Sequence, residues 1–256
     1  MKYLVLDLDG TLLNDSKQIS KEDAEAISAL SDDCGLIFAS GRHFSEISNY
    51  LKIFKRKPSF VICCDGVNTY DENGKRIGNR QTTLNEDDFK ALLEIVKKGS
   101  ILIICDSKNM VFRDNLLSRA RRLFKNNKTE RYIVGNKLNA EKMRIRKKYV
   151  DKNTFESLRK FFSVHIVFNC FADVKRKGVS KYSAIKMICE LNGVNEDSIY
   201  YFGDDMNDIE CFDNLKHCVA MDNACEDIKS KAEFITKSNN ESGVAYAMRN
   251  YLHLIN

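Results

Sequence analysis

The chain is expected to fold as an α/β protein, a parallel, doubly wound sheet with a smaller α+β segment set into it. Three observations predict this. Short apolar strands alternate with helical patterns up to about Thr82 and again after Gly178, the rhythm of βαβ units. Several of those strands stop abruptly in chemically loaded turns, Asp7-Leu8-Asp9-Gly10, Ser40-Gly41-Arg42 and Gly203-Asp204-Asp205. Ligands of open parallel sheets gather at such carboxyl ends. Between about Thr83 and Lys175 the βα rhythm is lost, as an inserted segment would require.

Tyr3–Leu6 is the first strand. Lys21–Leu30 follows as a helix, with Ser20 as N-cap and Asp23 three residues on, a pattern resembling a capping box. Gly35–Ala39 is the second strand, His43–Phe54 a helix, and Phe60–Cys64 the third strand, ending at Asp65-Gly66. Asn73-Gly74, between Val67–Tyr70 and Arg76-Ile77, is a hairpin signal. In the middle segment, Asn85–Lys98 reads as an amphipathic helix. Ile101–Cys105 and Met110–Arg113 read as strands about a turn at Ser107-Lys108-Asn109, and Val164–Phe168 as another strand. From Gly178 the first pattern returns. Ser180–Asn192 is a helix, Ser198–Phe202 a strand, and a helix runs on from Asp208. His217–Ala220 and Phe234-Ile235 are short strands. The simplest assembly is a Rossmann-like core split near residues 83 to 175.

Composition narrows the class. Hydrophobic content of 43% and charged content of 30% suit a soluble globular protein. No apolar run is long enough for a transmembrane helix, and no signal peptide is read at the N-terminus. Nine cysteines, an odd number scattered through apolar runs such as Val61-Ile62-Cys63-Cys64, suit free thiols in a reducing cytosol. Residues 119 to 148 hold twelve Lys/Arg and only Glu130 and Glu141 as acids. That leaves 29 basic and 34 acidic residues elsewhere in a chain of net charge +5. A basic segment on an acidic body attracts anionic substrates, forms a nucleic-acid patch, or is simply a solvated helix face. No RNA-binding, zinc-finger or helix-turn-helix signature accompanies it.

Four segments carry chemistry. In an extended chain, residues two apart face the same side, so Asp7 and Asp9 start out aimed at one place. Two carboxylates ~4 Å apart repel by about 4 kcal/mol at an effective dielectric of about 20. A hard cation such as Mg²⁺ relieves this. Ser40-Gly41-Arg42 offers a hydroxyl and amides near a helix start, where phosphate binds well. Lys181 falls in the first turn of a helix capped by Ser180. A lysine is poorly placed there for the helix dipole, and the misfit points to neutralising an anion. Tyr201-Phe202-Gly203-Asp204-Asp205-Met206-Asn207-Asp208 ends a strand in a second carboxylate cluster, which again calls for a cation.

In order, spacing and strand context these segments resemble the four motifs of the haloacid dehalogenase superfamily. The nearest likeness is its Cof-type branch, phosphatases with an α/β cap inserted after the third core strand. Gly178-Val179-Ser180-Lys181, Val219-Ala220-Met221-Asp222-Asn223-Ala224 and Ser242-Gly243-Val244-Ala245 agree with that branch, and the likeness covers nearly the whole chain. Two positions depart from it. Asp65-Gly66-Val67 stands where Asn-Gly-Ala is common, and Tyr182 where glycine is common. Both lie near the active-site rim in relatives and bear on substrate preference.

The resemblance implies a catalytic core over residues 1–82 and 176–256 and a substrate-specificity cap over 83–175. It implies a Mg²⁺-dependent phosphatase acting on small phosphorylated metabolites such as sugar phosphates. Asp7 attacks phosphorus and forms an aspartyl-phosphate. Asp9 protonates the leaving alkoxide and then deprotonates water. Mg²⁺ is bound by Asp7, the Asp9 carbonyl and Asp204, with Asp208 as ligand or support. Ser40, Gly41, Arg42, Lys181, Asn207 and the Leu8 amide hold the phosphoryl group and substrate. Asp7, Asp204, Asp208 and a phosphate dianion total −5, and Mg²⁺ with Lys181 returns +3. The basic stretch would favour substrates with extra anionic groups. The alternatives are a phosphomannomutase-like phosphotransferase and a catalytically retired ligand-binding regulator. A cytoplasmic monomer or weak homo-oligomer is expected, with neither membrane nor nucleic-acid partner.

Overall fold

The computed structural model describes residues 1–79, 81–84, 100–105, 108–113, 138–140, 142–167 and 171–255. The chain divides into two compact units, Met1–Asn79 with Ser180–Asn256, and Arg80–Val179.

The first unit opens with β1 (Lys2–Leu6), α1 (Lys21–Ser28), β2 (Cys34–Ala39), α2 (Phe44–Leu51), β3 (Phe60–Cys63), β4 (Asn68–Asp71) and β5 (Arg76–Asn79). The second holds β6 (Thr82–Leu84), β7 (Ser100–Cys105), β8 (Lys108–Arg113), β9 (Leu138–Ala140), β10 (Lys142–Arg146), α3 (Lys152–Phe161), β11 (Phe162–Val167) and β12 (Phe171–Arg176). The first unit resumes with α4 (Lys181–Asn192), β13 (Ile199–Gly203), α5 (Ile209–Asn214), β14 (His217–Ala220), α6 (Glu226–Lys229), β15 (Phe234–Ile235) and α7 (Gly243–Asn250).

The sheet of the first unit runs β15-β14-β13-β1-β2-β3-β4-β5, parallel up to β3 and antiparallel through the last two strands. β1 lies between β2 and β13, with Leu6 level with both Phe38 and Phe202. The three strands therefore end together. Their successors, Asp7, Ser40 and Asp204, emerge at one edge of the sheet.

Continuous apolar runs built this centre because a parallel sheet is covered on both faces. Val5, Ile37, Ile62 and Tyr201 pack with Ile185, Ile188, Phe212 and Ile228 in one buried cluster. The alternate residues Leu4, Leu6, Leu36 and Phe38 point the other way and are equally buried. Each such side chain contributes roughly 1.5–3 kcal/mol. α1 is capped by Ser20, whose Oγ accepts from the Asp23 amide. Buried Asp23 also accepts from the Ala245 amide and so ties α1 to the first turn of α7. Ser180 caps α4 in the same way, accepting from the Ser183 amide.

The second unit contains an antiparallel sheet, β11-β12-β10-β7-β8, and the pair β6-β9. Met143, Ile145, Ala172, Val174 and Val164 form its buried side, with Leu158 of α3. On the other face of β10 and β12, Arg144 donates from Nε and Nη2 to the two Asp173 oxygens at 2.6 and 2.8 Å, and Lys142 lies 3.2 Å from Oδ2.

Several expectations change here. The end of the basic stretch is not a helix face. Residues 142–146 are a sheet strand, because Lys142, Arg144 and Arg146 alternate with Met143 and Ile145. Lys108 and Asn109 belong to β8 rather than to a turn, and they pair with Cys105 and Ile104. α2 starts at Phe44, with His43 as its N-cap. A 3₁₀ turn, Met206–Asp208, precedes α5. The helix expected over 85–98 and the basic residues 119–137 lie outside the described residues. Cys34, Cys63, Cys64, Cys189, Cys211, Cys218 and Cys225 are not joined in disulfides.

Candidate active site

Asp7 leaves β1 at the sheet edge, its amide bonded to the Phe202 carbonyl of β13. The Leu8 carbonyl accepts from the Thr11 and Leu13 amides. The chain therefore curls immediately, and the Leu8 side chain is buried beneath it. Gly10 completes the turn at φ +85°, and a Cβ there would sit 2.1 Å from Asp204 Oδ2. Only glycine fits between the two acidic turns. Asp204 Oδ1 in turn accepts from Thr11 Oγ1 at 2.9 Å.

Lys181 is fully buried. Its ammonium donates to Asp7 Oδ1 and to Asp208 Oδ1, both at 2.6 Å. Asp208 is buried as well, and protein donors occupy both its oxygens. Tyr201 Oη (2.5 Å) and Lys181 meet Oδ1, while the Asp204 (3.0 Å) and Asp205 (3.2 Å) amides meet Oδ2. Gly203 lets this carboxylate fold back against the strand, since a Cβ there would lie 2.7 Å from its Cγ.

Asp7, Asp204 and Asp208 each present a carboxylate oxygen within 4.8 Å of the others, a cluster able to hold a metal ion. Three carboxylates against one ammonium leave a charge of −2. The electrostatics reflect it. Burial raises the Asp7 carboxyl well above the ordinary range, and the nearby Asp208 and Asp204 add to this against the pull of Lys181. Burial, reinforced by Asp208, lifts Asp204 to about 7. Burial alone would lower Lys181, but Asp208 and Asp7 keep it raised and charged. A divalent cation would supply the missing positive charge, and an all-oxygen donor set suits a hard one.

Asp9 turns away from this cluster. Arg42 grips it bidentately, Nε to Oδ2 at 2.6 Å and Nη2 to Oδ1 at 2.7 Å, and Lys17 Nζ reaches Oδ1 at 2.9 Å. Burial pushes the Asp9 carboxyl up, but these bonds and charges overcome it and hold it at about 2. Ser40 is buried at the end of β2, and its Oγ accepts from the Arg42 amide. Gly41 follows in the same turn. Asn207 Nδ2 donates to Asp65 Oδ1 at 3.0 Å.

The structure therefore brings Asp7, Lys181, Asp204 and Asp208 into one bonded cluster. It sets Arg42 on Asp9 and Asn207 on Asp65, rather than aiming either at open space. Sequence reasoning did not single out Lys17, Tyr201 or Asn223, whose Nδ2 donates to the Gly10 carbonyl at 2.7 Å. For Tyr201 a signal existed, because it lies two residues before Gly203 and thus on the face that meets the carboxylates.

A family model for haloacid dehalogenase-like hydrolases matches residues 4–248. The chain belongs to that family. Among the family's curated members, the 5-amino-6-(5-phospho-D-ribitylamino)uracil phosphatase YcsE of Bacillus subtilis is 27% identical, over 98% of this chain and 96% of its own. The solved structure of TM0651 from Thermotoga maritima superposes with a TM-score of 0.78 at 28% identity, covering 97% of this chain and 96% of that one. BT1666 from Bacteroides thetaiotaomicron superposes at 0.80 with 22% identity over 100% and 96%, a likeness of fold. The chain is a phosphoric monoester hydrolase of haloacid dehalogenase type, Cof-like in its motifs. Among the described residues, no helix is long and apolar enough to cross a membrane.

Proposed function

We propose that the chain is a Mg²⁺-dependent phosphatase of small phosphorylated metabolites that works through a phosphorylated Asp7. One observation carries the reading. A buried cluster of three carboxylates and one ammonium is two charges short of neutral, at the strand ends where a phosphate must be received. Asp7 and Asp204, with the Asp9 carbonyl, would hold Mg²⁺, which supplies the positive charge that lets a phosphate dianion approach these carboxylates. Asp208, its acceptor sites already filled, fits better as the anchor of Lys181 than as a metal ligand.

Lys181 orients Asp7 by holding Oδ1, leaving Oδ2 to attack phosphorus. The ester oxygen departs with its electron pair and takes a proton from Asp9. Asp9 then removes a proton from the water that attacks the phosphoryl group on Asp7 and frees phosphate. Such nucleophilic catalysis splits one hard step into two easier ones, and positioning and charge neutralisation do most of the work. Asp9 can serve as the acid only after leaving the Arg42–Lys17 clamp. Arg42 is then free for the substrate, alongside Ser40, Gly41, Asn207 and the Leu8 amide. The unit Arg80–Val179 would act as the cap that selects the leaving group. The Bacillus relative's named substrate carries a phospho-D-ribityl group, which favours phosphorylated sugars and polyols as the class. Free thiols suit a cytoplasmic setting.

Phosphate release from a panel of sugar, polyol and nucleotide monophosphates, with Mg²⁺ and with EDTA, tests this reading beside Asp7→Asn. Metal-dependent turnover lost in the variant is the expected result. Turnover that survives Asp7→Asn, or that needs no metal, would overturn it.

A further inference from the structure

Tyr201 is unlike anything the phosphoryl-transfer reading asks for. It occupies the middle of a central strand, entirely buried, with its ring edge-on to Phe212 at 5.9 Å. A phenylalanine would fill that space as well. A buried hydroxyl is costly unless bonded, and this one has a specific acceptor, Asp208 Oδ1 at 2.5 Å. The same oxygen receives the Lys181 ammonium, which reaches on to Asp7. A continuous chain therefore runs Tyr201–Asp208–Lys181–Asp7, wholly inside the first unit.

The sharing has a consequence. Lys181 stands between two carboxylates at equal distance, 2.6 Å each. Its position depends on how strongly each one pulls. The Tyr201 hydroxyl disperses part of the negative charge on Asp208 Oδ1 and so weakens that pull. Without it, Lys181 would be drawn toward Asp208 and away from the nucleophile and the anion to be bound there. The two amides on Oδ2 stop the carboxylate from swinging to compensate.

Building on the phosphatase reading, we propose that Tyr201 is a positioning residue, which acts through Asp208 to hold Lys181 against Asp7 and the transferring phosphoryl group. It touches neither substrate nor metal. Its effect belongs to the transition state, where the phosphoryl group lies in line between Asp7 and the leaving oxygen and depends on positioning.

The test is a double-mutant cycle on the full chain with Tyr201→Phe, Asp208→Asn and the pair. Orthovanadate binding in the presence of Mg²⁺ is measured by calorimetry, and turnover is followed in parallel. Loss of one hydrogen bond to a charged group is expected to weaken vanadate binding and kcat about tenfold, with KM for the ester and affinity for inorganic phosphate within about twofold. In the Asp208→Asn background the same change should cost less than about twofold, because the route to Lys181 is already broken. A Tyr201→Phe protein with a lowered melting temperature but wild-type vanadate affinity would overturn the proposal. So would a full tenfold cost in both backgrounds. If wild type binds vanadate but hydrolyses no ester, the phosphatase reading fails while the binding cycle still decides the role of Tyr201. If wild type binds neither vanadate nor phosphate, both fall.

Discussion

Asp204→Asn, in protein stripped of metal, isolates the charge deficit of the site. Asp204 is held at about 7 against an ordinary value of 3.8. Below about pH 4, folded and unfolded chains both carry this proton, and the site costs nothing. As pH rises further, the unfolded chain releases its proton while the folded chain keeps it. The folded state then binds more protons, so stability falls with increasing pH by about 1.4 kcal/mol per unit. Across the window from about 4 to 7 the loss reaches about 4 kcal/mol, on the order of 10 °C in melting temperature for a chain of this size. Asp7 is raised by the same burial and adds to the slope. Mg²⁺ binds the ionised carboxylates, so its stabilisation should grow over the same window. The assay is thermal unfolding of chelator-treated protein from pH 5 to pH 8, with and without Mg²⁺. Asp204→Asn, neutral throughout, should flatten the metal-free slope. A metal-free protein as stable at pH 8 as at pH 5, or an unchanged slope in Asp204→Asn, would refute the reasoning.

Three further outcomes follow from individual contacts. Gly10→Ala forces a Cβ to 2.1 Å from Asp204 Oδ2 at φ +85°, and should cost 2–3 kcal/mol or more in stability, as an order-of-magnitude estimate, and lower kcat more than KM changes. Arg42→Met removes the bidentate clamp. Burial should then raise the Asp9 carboxyl from about 2 toward or beyond the ordinary carboxylate range, shown by a higher titration midpoint for the residue in carbon-13 NMR. Neutralising the exposed Arg146 and Lys147 together should raise KM for a bisphosphate more than for a monoester. Equal changes in steady-state assays would count against a role for these cations in recognising a second anionic group.

The centre of the fold was legible because the strands are apolar on both faces and end in turns that hydrophobicity cannot explain. Asp7 and Asp204 announced themselves as carboxylates where a buried strand should simply turn. Lys181 did so as a cation at the wrong end of a helix dipole. What the sequence hid were pairings across long chain separations. Thr11 meets Asp204 across 193 residues, Asn207 meets Asp65 across 142, and Arg42 meets Asp9 across 33. No local pattern encodes which way such side chains turn, so the capture of Asp9 by Arg42 is visible only in the folded structure. Strand β10 is a different case. Lys142-Met143-Arg144-Ile145-Arg146 alternates with period two, the signature of a half-buried strand, but the density of positive charge drew attention to anion attraction, nucleic-acid binding or a solvated helix face instead of to that alternation. Helix α3 went unread, although its start carries a common N-cap residue. Asp151 caps it by accepting from the Thr154 amide, and Leu158 marks its buried side.

The central claim is that Asp7 itself becomes phosphorylated. Rapid quenching during turnover, borohydride reduction and peptide mass spectrometry test it directly, because an acyl phosphate is reduced to the alcohol whereas a free carboxylate is not. The account predicts homoserine in place of Asp7, dependent on substrate and Mg²⁺ and absent at Asp9, Asp204 and Asp208. Steady phosphate release with Asp7 unreduced, or with the mark on another carboxylate, would contradict it.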